Sequence, residues 1–366
     1  MHRIADIINF LETLAPLQLQ EEYDNCGLVC GNSTNAALGA IVALDLTEEV
    51  IDEALEKGFN LIIVHHPPIF KGLKKIDAKD PVTSMLLRCI NHEINVYAIH
   101  TNLDNVIWGV NGEIANRIGL KNLQVLSPKA GTHRQLTTYV PSSHAEKVKN
   151  AVFEAGAGAI GLYAECSFSS LGEGSFKALE GANPFIGSKG LRHLEQEQKL
   201  EFIFPVQLET QVMMALKAAH PYETVAYNIL PLENHFQELG AGAFGTLPEP
   251  LAEKEVLQLL KSIFQTGTIR HSPLTGKTIK TVALCGGSGK SLINNALGIN
   301  ADLYFTGDLG YHDFFLPAGR MLLADIGHFE SEQYTSDLLE RVIKEKFPTF
   351  AVLKTGRYTN PVNYFL

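Results

Sequence analysis

Residues 61–70, LIIVHHPPIF, place two histidines directly after a run of four aliphatic residues. A short aliphatic run that ends at polar and turn-forming residues is typical of a strand buried on both faces, as in a parallel sheet. We therefore predict a buried strand at residues 60–64, with His65 and His66 at its carboxyl end.

Short aliphatic runs alternate with helical patterns on both sides of this strand. Residues 39–44 and 95–99 have the composition of further strands, and Glu48–Lys57 and Pro81–Asn91 that of helices. The same alternation returns after residue 278, where we predict strands at 281–284, 302–305 and 321–324 and a final helix at 330–347. This alternation predicts an α/β fold with mostly parallel sheets covered by helices.

The middle of the chain follows a different order. We predict strands at 135–141, 165–171, 200–205 and 225–231 and helices at 145–156 and Glu209–Ala219. The order βαββαβ is that of a ferredoxin-like unit. We therefore expect a split α/β domain formed by residues 1–127 and 239–366, with an inserted ferredoxin-like domain at 128–238.

The composition limits the classes of function. The chain has 366 residues, of which 45% are hydrophobic and 19% charged, as expected of two compact domains. A formal net charge of −10 argues against general binding to nucleic acid or to an anionic membrane, because both need basic surface.

The N-terminal segment and the cysteines point to a cytoplasmic location. Residues 1–16 form an amphipathic pattern, not the continuous apolar centre of a signal peptide, and no run is long enough to span a membrane. Five cysteines, an odd number, suggest reduced thiols. Cys26 and Cys30 form the only close pair, and we interpret them as small buried hydrophobic residues.

Candidate metal ligands follow five of the predicted strands. Sites in open α/β sheets form outside the carboxyl ends of the strands, so these side chains should meet in one crevice. The candidates are Asp45, His65, His66, His100, Asp104, Thr306, Asp308, His312, His328 and Glu332.

The spacing of His328 and Glu332 puts both on one face of a helix, one turn apart. Imidazole and carboxylate ligands suit zinc, iron, manganese or nickel. A lone histidine is usually a surface residue or a hydrogen-bonded core residue. The candidate ligands that follow these parallel strands, however, outnumber the four ligands of a structural zinc site. They suit two adjacent ions with open positions, zinc being the first choice.

Two motifs allow both a structural and a functional interpretation. CGGSGKS at 285–291 is similar to a phosphate-binding loop but lacks its first glycine, so a structural turn is favoured over an anion site. HPYETVAY at 220–227 contains His220 and Glu223, which could bind a separate metal. The favoured explanation of this motif is structural: the segment connects the end of a helix to the next strand.

The chain resembles the NGG-interacting-factor-three family, known in bacteria as GTP cyclohydrolase I type 2 homologues. The resemblance covers nearly the full length and rests on EEYDNCGLVCG (21–31), HHPPIF (65–70), HTNLD (100–104), CGGSG (285–289), TGDLGYHD (306–313) and DIGHFESE (325–332). Tyr23 stands where the family usually has Trp. The resemblance implies two divalent metal ions on His65, His66, Asp104, His328 and Glu332.

The middle of the chain is similar to the CutA-like, P-II-like domain of the longer bacterial members. For the whole chain the resemblance implies a homohexamer. The leading hypothesis is a dinuclear metal-dependent hydrolase of a small anionic molecule, phosphorylated or nucleotide-like, with GTP cyclohydrolase-type ring opening as a subclass. His100 or His312 would transfer protons. The alternative is a non-catalytic metal-handling or regulatory scaffold.

Overall fold

The computed structural model describes residues 2–234, 236 and 238–365. The chain forms two compact units. The middle unit is Lys129–Phe236, and the split unit consists of the chain on both sides of it. The helices are α1 Ile4–Leu14, α2 Glu48–Lys57, α3 Pro81–Asn91, α4 Thr101–Asp104, α5 Val110–Arg117, α6 Ala145–Glu154, α7 Glu209–Ala219, α8 Glu253–Ile263, α9 Ile293–Gly298, α10 His328–Glu332 and α11 Thr335–Lys346.

The strands of both units form three sheets. They are β1 Gly27–Cys30, β2 Ala40–Ala43, β3 Leu61–Val64, β4 Asn95–Ala98, β5 Lys121–Pro128, β6 His133–Pro141, β7 Ser167–Lys177, β8 Arg192–Pro205, β9 Tyr227–Leu232, β10 Gly240–Ala252, β11 Arg270–His271, β12 Thr278–Ser288, β13 Leu303–Gly307, β14 Leu322–Asp325 and β15 Val352–Lys354.

The helices begin and end where the sequence supplies caps. The side chain of Thr47 accepts a hydrogen bond from the backbone N–H of Val50 at the start of α2, which ends at Gly58 in the left-handed conformation. Asp80 caps α3 in the same way, and Pro81 occupies its first position, where no backbone donor is needed.

Two sheets form the split unit. The first has the order β1-β4-β3-β2-β15, in which β15, β2, β3 and β4 are parallel and β1 is an antiparallel edge. The second has the order β11-β14-β13-β12-β10-β5, with a parallel centre of β12, β13 and β14 and antiparallel strands on both sides. The α/β class that the sequence predicts is confirmed.

The hydrophobic core of the split unit lies between these sheets. Alternate side chains of β2 enter different cores: Val42 joins the large cluster between the sheets, while Ile41 joins a smaller cluster under α2 and α3. The large cluster also receives Tyr97 from β4, Phe305 from β13 and apolar residues of α1, α5, α8 and α11. The first sheet is therefore buried on both faces, as its continuous aliphatic strands require.

The strands that sequence analysis did not predict are β1, β5, β10, β11 and β15. The strand β10 begins GAGAFG and carries Pro248 and Pro250, all unfavourable to a strand by local preference. Pairing with β12 on one side and β5 on the other stabilises it, and its register with β12 shifts between Thr246 and Leu251, where the prolines lie. Tertiary pairing here outweighs propensity.

The predicted helix at 330–347 is two helices in the structure. The five-residue α10 carries His328 and Glu332, and α11 begins at Thr335. The break allows α10 to present its ligands while α11 packs Leu339 and Ile343 into the core. The predicted one-turn spacing of His328 and Glu332 is retained, because both lie within α10.

The middle unit has the element order β6-α6-β7-β8-α7-β9 and one sheet in the order β7-β8-β6-β9, antiparallel throughout. Its core lies between the sheet and α6 and α7, with Phe202 and Phe204 of β8 fully buried. Among the described residues, no helix combines the length and the apolar character that crossing a membrane would require.

Candidate metal centre

Histidines and carboxylates from distant parts of the split unit meet in one cluster. Their ligand atoms form three groups, within each of which the atoms lie no more than 4.8 Å apart. The groups are His65/Asp104/Glu332, His66/His328/Glu332 and His65/His66/His100. The structure thus brings together all five predicted ligands, together with His100.

The cluster forms where the carboxyl ends of parallel strands from the two sheets converge. His65 and His66 directly follow β3, and His100 directly follows β4, which pairs with β3 in the first sheet. His328 begins α10 just after β14 of the second sheet. The sequence places each group at a strand end, and packing of the two sheets brings these ends into one site.

Each histidine of the cluster is oriented through its Nδ1 atom. The carbonyl oxygen of Ile99 lies 2.8 Å from Nδ1 of His65, which therefore carries the proton and donates it. The other three rings are held by carboxylates at 2.7–2.9 Å, and the pairs are His66–Asp45, His328–Asp308 and His100–Asp24. Such bonds fix the ring orientation and leave Nε2 to face the cluster, as in metal sites.

Glu332 connects the groups. Its Oε2 atom lies 3.0 Å from Nε2 of His66 and 3.1 Å from Nε2 of His328, and its Oε1 atom lies 3.6 Å from Nε2 of His65. Oδ1 of Asp104 lies 3.7 Å from the same Nε2 atom of His65. One buried carboxylate therefore faces three imidazoles with two different oxygen atoms.

Two atoms of the cluster are buried without a hydrogen-bond partner among the described residues: Nε2 of His65 and Oδ1 of Asp104. Buried polar atoms rarely stay unpaired, because each costs about 1–3 kcal/mol in lost solvation. Both atoms are acceptors, and they lie 3.7 Å apart. No donor among the described residues reaches either atom, whereas one cation between them would satisfy both. The residues present therefore fit a metal ion.

The electrostatics of the cluster show strong coupling between its acids and imidazoles. Burial opposes ionisation of Glu332, yet the neighbouring imidazoles hold its pKa well below the usual range. Burial also opposes the charge on His66, but Asp45 and Glu332 outweigh it and raise its pKa to about 10. For Asp104 burial dominates and raises the pKa to about 7. Binding of a cation at this site would therefore compete with binding of protons.

A glycine turn at the end of β12 packs directly against the cluster. Gly287 has φ +59°, and a Cβ at this position would lie inside van der Waals contact of Oε1 of Glu332. Its backbone N–H donates to Oγ of Ser331, 2.9 Å away. CGGSGKS thus serves close packing at the metal centre, in agreement with the favoured structural interpretation of the motif.

The cluster lies at the side of a cavity of about 510 Å³. Tyr23 and Phe70 line it, and both are exposed aromatic side chains, by 69% and 49%. Ser288 and Ser291 contribute hydroxyl groups to the same lining. The space is large enough for a small organic molecule next to the ligands.

Other candidates from the sequence have different positions. His312 is exposed on a short 3₁₀ helix, where its ring contacts Tyr311 and Phe315, and it does not line the cavity. Thr306 is structural, because its hydroxyl accepts from the N–H of Gly289 and donates to the carbonyl of Gly287. Of the two predicted proton-transfer residues, only His100 lies at the cluster.

In the middle unit, both ring nitrogens of His220 form hydrogen bonds with backbone atoms. Its Nε2 lies 3.0 Å from the carbonyl oxygen of Tyr139, and Nδ1 accepts from the N–H of Tyr222 at 3.1 Å. Burial lowers the pKa of His220, which favours the neutral ring that these two bonds require. This arrangement agrees with the structural interpretation of HPYETVAY over a separate metal site.

Sequence reasoning missed several residues that hold the ligands. Asp24 accepts hydrogen bonds from the backbone N–H and hydroxyl of Thr101 in addition to its contact with His100. Asn111 donates to the carbonyl of Asp104 and accepts from the N–H of Gly286, so it ties that ligand to the glycine turn. Neither follows a predicted strand, but Asp24 lies in the motif EEYDNCGLVCG (21–31), which could have drawn attention to it.

Comparisons with known proteins identify the family of this chain. A model of the family described as Duf34/NIF3 (NGG1p interacting factor 3) matches residues 2–361. A protein from Bacillus subtilis named "GTP cyclohydrolase 1 type 2 homolog" is 42% identical over 84% of this chain and 82% of its own length. A protein of the same name from Halalkalibacterium halodurans is 35% identical over 98% of both chains. The solved structure of a Bacillus cereus protein "related to NIF3" has TM-score 0.85 and 34% identity, covering 100% of this chain and 99% of its own.

Proposed function

Because the chain belongs to the Duf34/NIF3 family, we propose that it is a metal-dependent hydrolase with two divalent ions in this cluster. The substrate would be a small phosphorylated or nucleotide-like molecule. The relatives named as GTP cyclohydrolase homologues suggest purine ring opening as the specific reaction.

The position of Glu332 is the observation that carries the proposal. It belongs to two ligand groups at once, one with His65 and Asp104 and the other with His66 and His328. A carboxylate that offers one oxygen to each of two groups is the usual bridge of a dinuclear centre. We expect zinc first, and iron, manganese or nickel also fit this mixture of imidazole and carboxylate.

Two such ions would supply Lewis-acid activation of water and of a substrate oxygen. The residues of the chain perform the remaining tasks. His100 holds its proton on Nδ1 against Asp24, so its Nε2 can accept a proton from a water in the cavity and return it to a leaving group. Asp24 keeps that ring oriented for transfer.

The charge balance and the cavity indicate the class of substrate. Two divalent ions against the carboxylates of Asp104 and Glu332 leave a net positive centre, which favours an anion such as a phosphate ester. Tyr23 and Phe70 give the same cavity two exposed aromatic faces, on which a planar base could stack.

The decisive experiment combines metal analysis with turnover. Purified protein should carry close to two ions per chain and should hydrolyse members of a panel of phosphomonoesters, phosphodiesters and nucleoside triphosphates. Asp104→Asn, which keeps the shape and removes the charge, should lose both metal and activity. His312→Ala should change neither, because His312 is exposed and outside the cavity.

The rival function is a non-catalytic, metal-handling scaffold. It would bind the same ions but show no turnover with any member of the panel. Turnover that persists unchanged in the Asp104→Asn protein would reject the site itself. Full metal content without turnover under any metal would favour the scaffold.

We also propose self-association as a homohexamer in the cytoplasm. Leu274, Tyr311 and Phe315 are exposed and line one apolar surface cavity of the split unit, as an interface between copies would. The five cysteines are free thiols, which suits a reducing compartment. Sedimentation analysis of the purified protein measures the assembly directly.

A further inference from the structure

A second cavity lies within the middle unit and has a chemistry unlike that of the metal centre. It has a volume of about 280 Å³ and is lined by residues of β7 and β8, of the connection between them and of the segment that follows His220. Its lining includes three aromatic side chains, Phe176, Phe185 and Tyr222, and two carboxylates, Glu197 and Glu223. Among the residues that the structure describes, no lysine or arginine is part of this lining.

The aromatic side chains pack against one another along the cavity. The ring of Tyr222 lies 5.8 Å from that of Phe176, at 62°, and 6.4 Å from that of Phe185, at 51°. These are the distances of inclined aromatic pairs, and all three rings line the same cavity. The negative potential over aromatic faces attracts a cation within about 6 Å.

The buried carboxylate gives the cavity its charge. Glu197 is 9% exposed, and its Oε1 accepts a hydrogen bond from the hydroxyl of Tyr222 at 2.8 Å. Its Oε2 accepts no hydrogen bond from the described residues. A buried carboxylate with a free oxygen beside aromatic rings is complementary to a cation. Such a cation either donates a hydrogen bond to that oxygen or is so weakly hydrated that it loses its water at low cost.

The backbone is adapted to this carboxylate. Gly174 of β7 pairs with Glu195 of β8, and a Cβ at Gly174 would lie inside van der Waals contact of Oε2 of Glu197. Any larger residue at position 174 would therefore displace the carboxylate of Glu197. The segment that carries Tyr222 is held by His220, whose two ring nitrogens bond to the backbone. The cavity is thus built by fixed elements on both sides.

From these features we infer that the middle unit binds a small organic cation, an alkylammonium ion, between Glu197 and the aromatic rings of Phe176, Phe185 and Tyr222. The volume admits a headgroup of a few heavy atoms and is too small for a nucleotide. Phe185, 53% exposed, stands at the mouth and would cover the bound ion. This site is independent of the proposed hydrolase reaction.

Calorimetric titration of the zinc-loaded full-length protein tests the inference. The probes are choline and n-butylammonium, with 3,3-dimethyl-1-butanol as the neutral isostere of choline. We expect saturable binding of the cations and at least about tenfold weaker binding of the isostere. Glu197→Gln, which can keep the bond to Tyr222, and Phe185→Ala should each weaken cation binding by at least about tenfold.

Glu201→Gln is the matched control, because Glu201 lies on the same strand β8 but does not line the cavity. It should bind the cations as the unaltered protein does. Equal binding of choline and its isostere, binding that survives in Glu197→Gln, or no saturation with either cation would overturn the inference. Binding of Ca²⁺ through Glu197 without binding of choline or n-butylammonium would assign the cavity to a metal ion and would overturn it as well.

Discussion

At the scale of single residues, the histidines of the candidate metal centre are held through Nδ1, which leaves Nε2 available to bind a metal ion. Nδ1 of His66 is held by Asp45 and Nδ1 of His328 by Asp308, while both Nε2 atoms face Glu332. A charged acceptor behind an imidazole makes the ring more basic and fixes its tautomer. The affinity of the site for metal should therefore depend on residues that never touch the ion.

Asp45→Asn tests this dependence. The amide keeps the size of the side chain but is a weaker acceptor, so metal affinity should fall by about 10- to 100-fold. Competition with a chromogenic chelator measures it. Asp52→Asn is the control, because Asp52 is a half-exposed partner of Arg88 and belongs to none of the ligand groups. Equal affinity in the two variants would contradict a supporting role for Asp45.

His133 makes the middle unit sensitive to acid. Burial lowers the pKa of His133 to about 4, from an ordinary 6.5, and its ring stacks on Phe236. The unfolded chain takes up this proton near pH 6.5, whereas the folded chain does so only near pH 4. The stability that neutral His133 contributes is therefore present above pH 6.5 and is lost as the pH falls toward 4, by up to about 3 kcal/mol.

His133→Phe should remove this part of the pH dependence, because phenylalanine keeps an aromatic ring and does not titrate. Hydrogen exchange of the amides in β6, followed from pH 7 to pH 4, reports on this unit separately, since the single tryptophan, Trp108, lies in the split unit. An identical loss of protection in both proteins would assign the acid sensitivity to other groups.

At the scale of elements, the end of β12 determines how closely a backbone approaches the ligands. Gly287 needs a positive φ, and its missing side chain leaves room for Oε1 of Glu332. Gly276 also has a positive φ, of +76°, but a Cβ there would meet nothing within 4 Å. Alanine at Gly276 would introduce backbone strain alone, whereas alanine at Gly287 would also displace the carboxylate of Glu332.

Gly287→Ala should therefore lose metal as well as stability, whereas Gly276→Ala should lose only about 1 kcal/mol of stability. Metal content by elemental analysis and thermal unfolding of both proteins give the comparison. If Gly287→Ala kept its full metal content, the glycine turn would matter for folding alone.

At the scale of the whole molecule, the middle unit interrupts the split unit between two strands that pair directly. Pro128 at the end of β5 lies opposite Gly240 at the start of β10. Paired residues of antiparallel strands have Cα atoms about 5 Å apart, a separation that a short turn closes. We therefore propose that the middle unit is a separable domain, inserted into the split unit as the sequence predicts for residues 128–238.

Replacement of residues 130–236 by an Asn-Gly or short Gly/Ser bridge should convert β5 and β10 into a hairpin and leave a folded, metal-binding protein. Circular dichroism, fluorescence of Trp108 and metal analysis provide the readout. Insoluble protein with every bridge length would show that the split unit needs the middle unit to fold.

The sequence by itself determined many of the helices and buried strands of this protein and the candidate ligands at their ends. The buried strand before His65 and His66, the caps of α2 and α3 and the spacing of His328 and Glu332 are all local patterns. A local pattern can be recognised because strand and helix periodicity, capping and turn formation act between residues close in the chain.

Only the tertiary structure decided how these elements meet. The ligands come from two sheets, their supporting groups Asp24 and Asn111 come from other segments, and β10 forms a strand despite its glycines and prolines. His312, from the same sequence pattern as the true cluster members, remains outside. Such outcomes depend on packing and pairing between separate segments of the chain, which no local periodicity encodes.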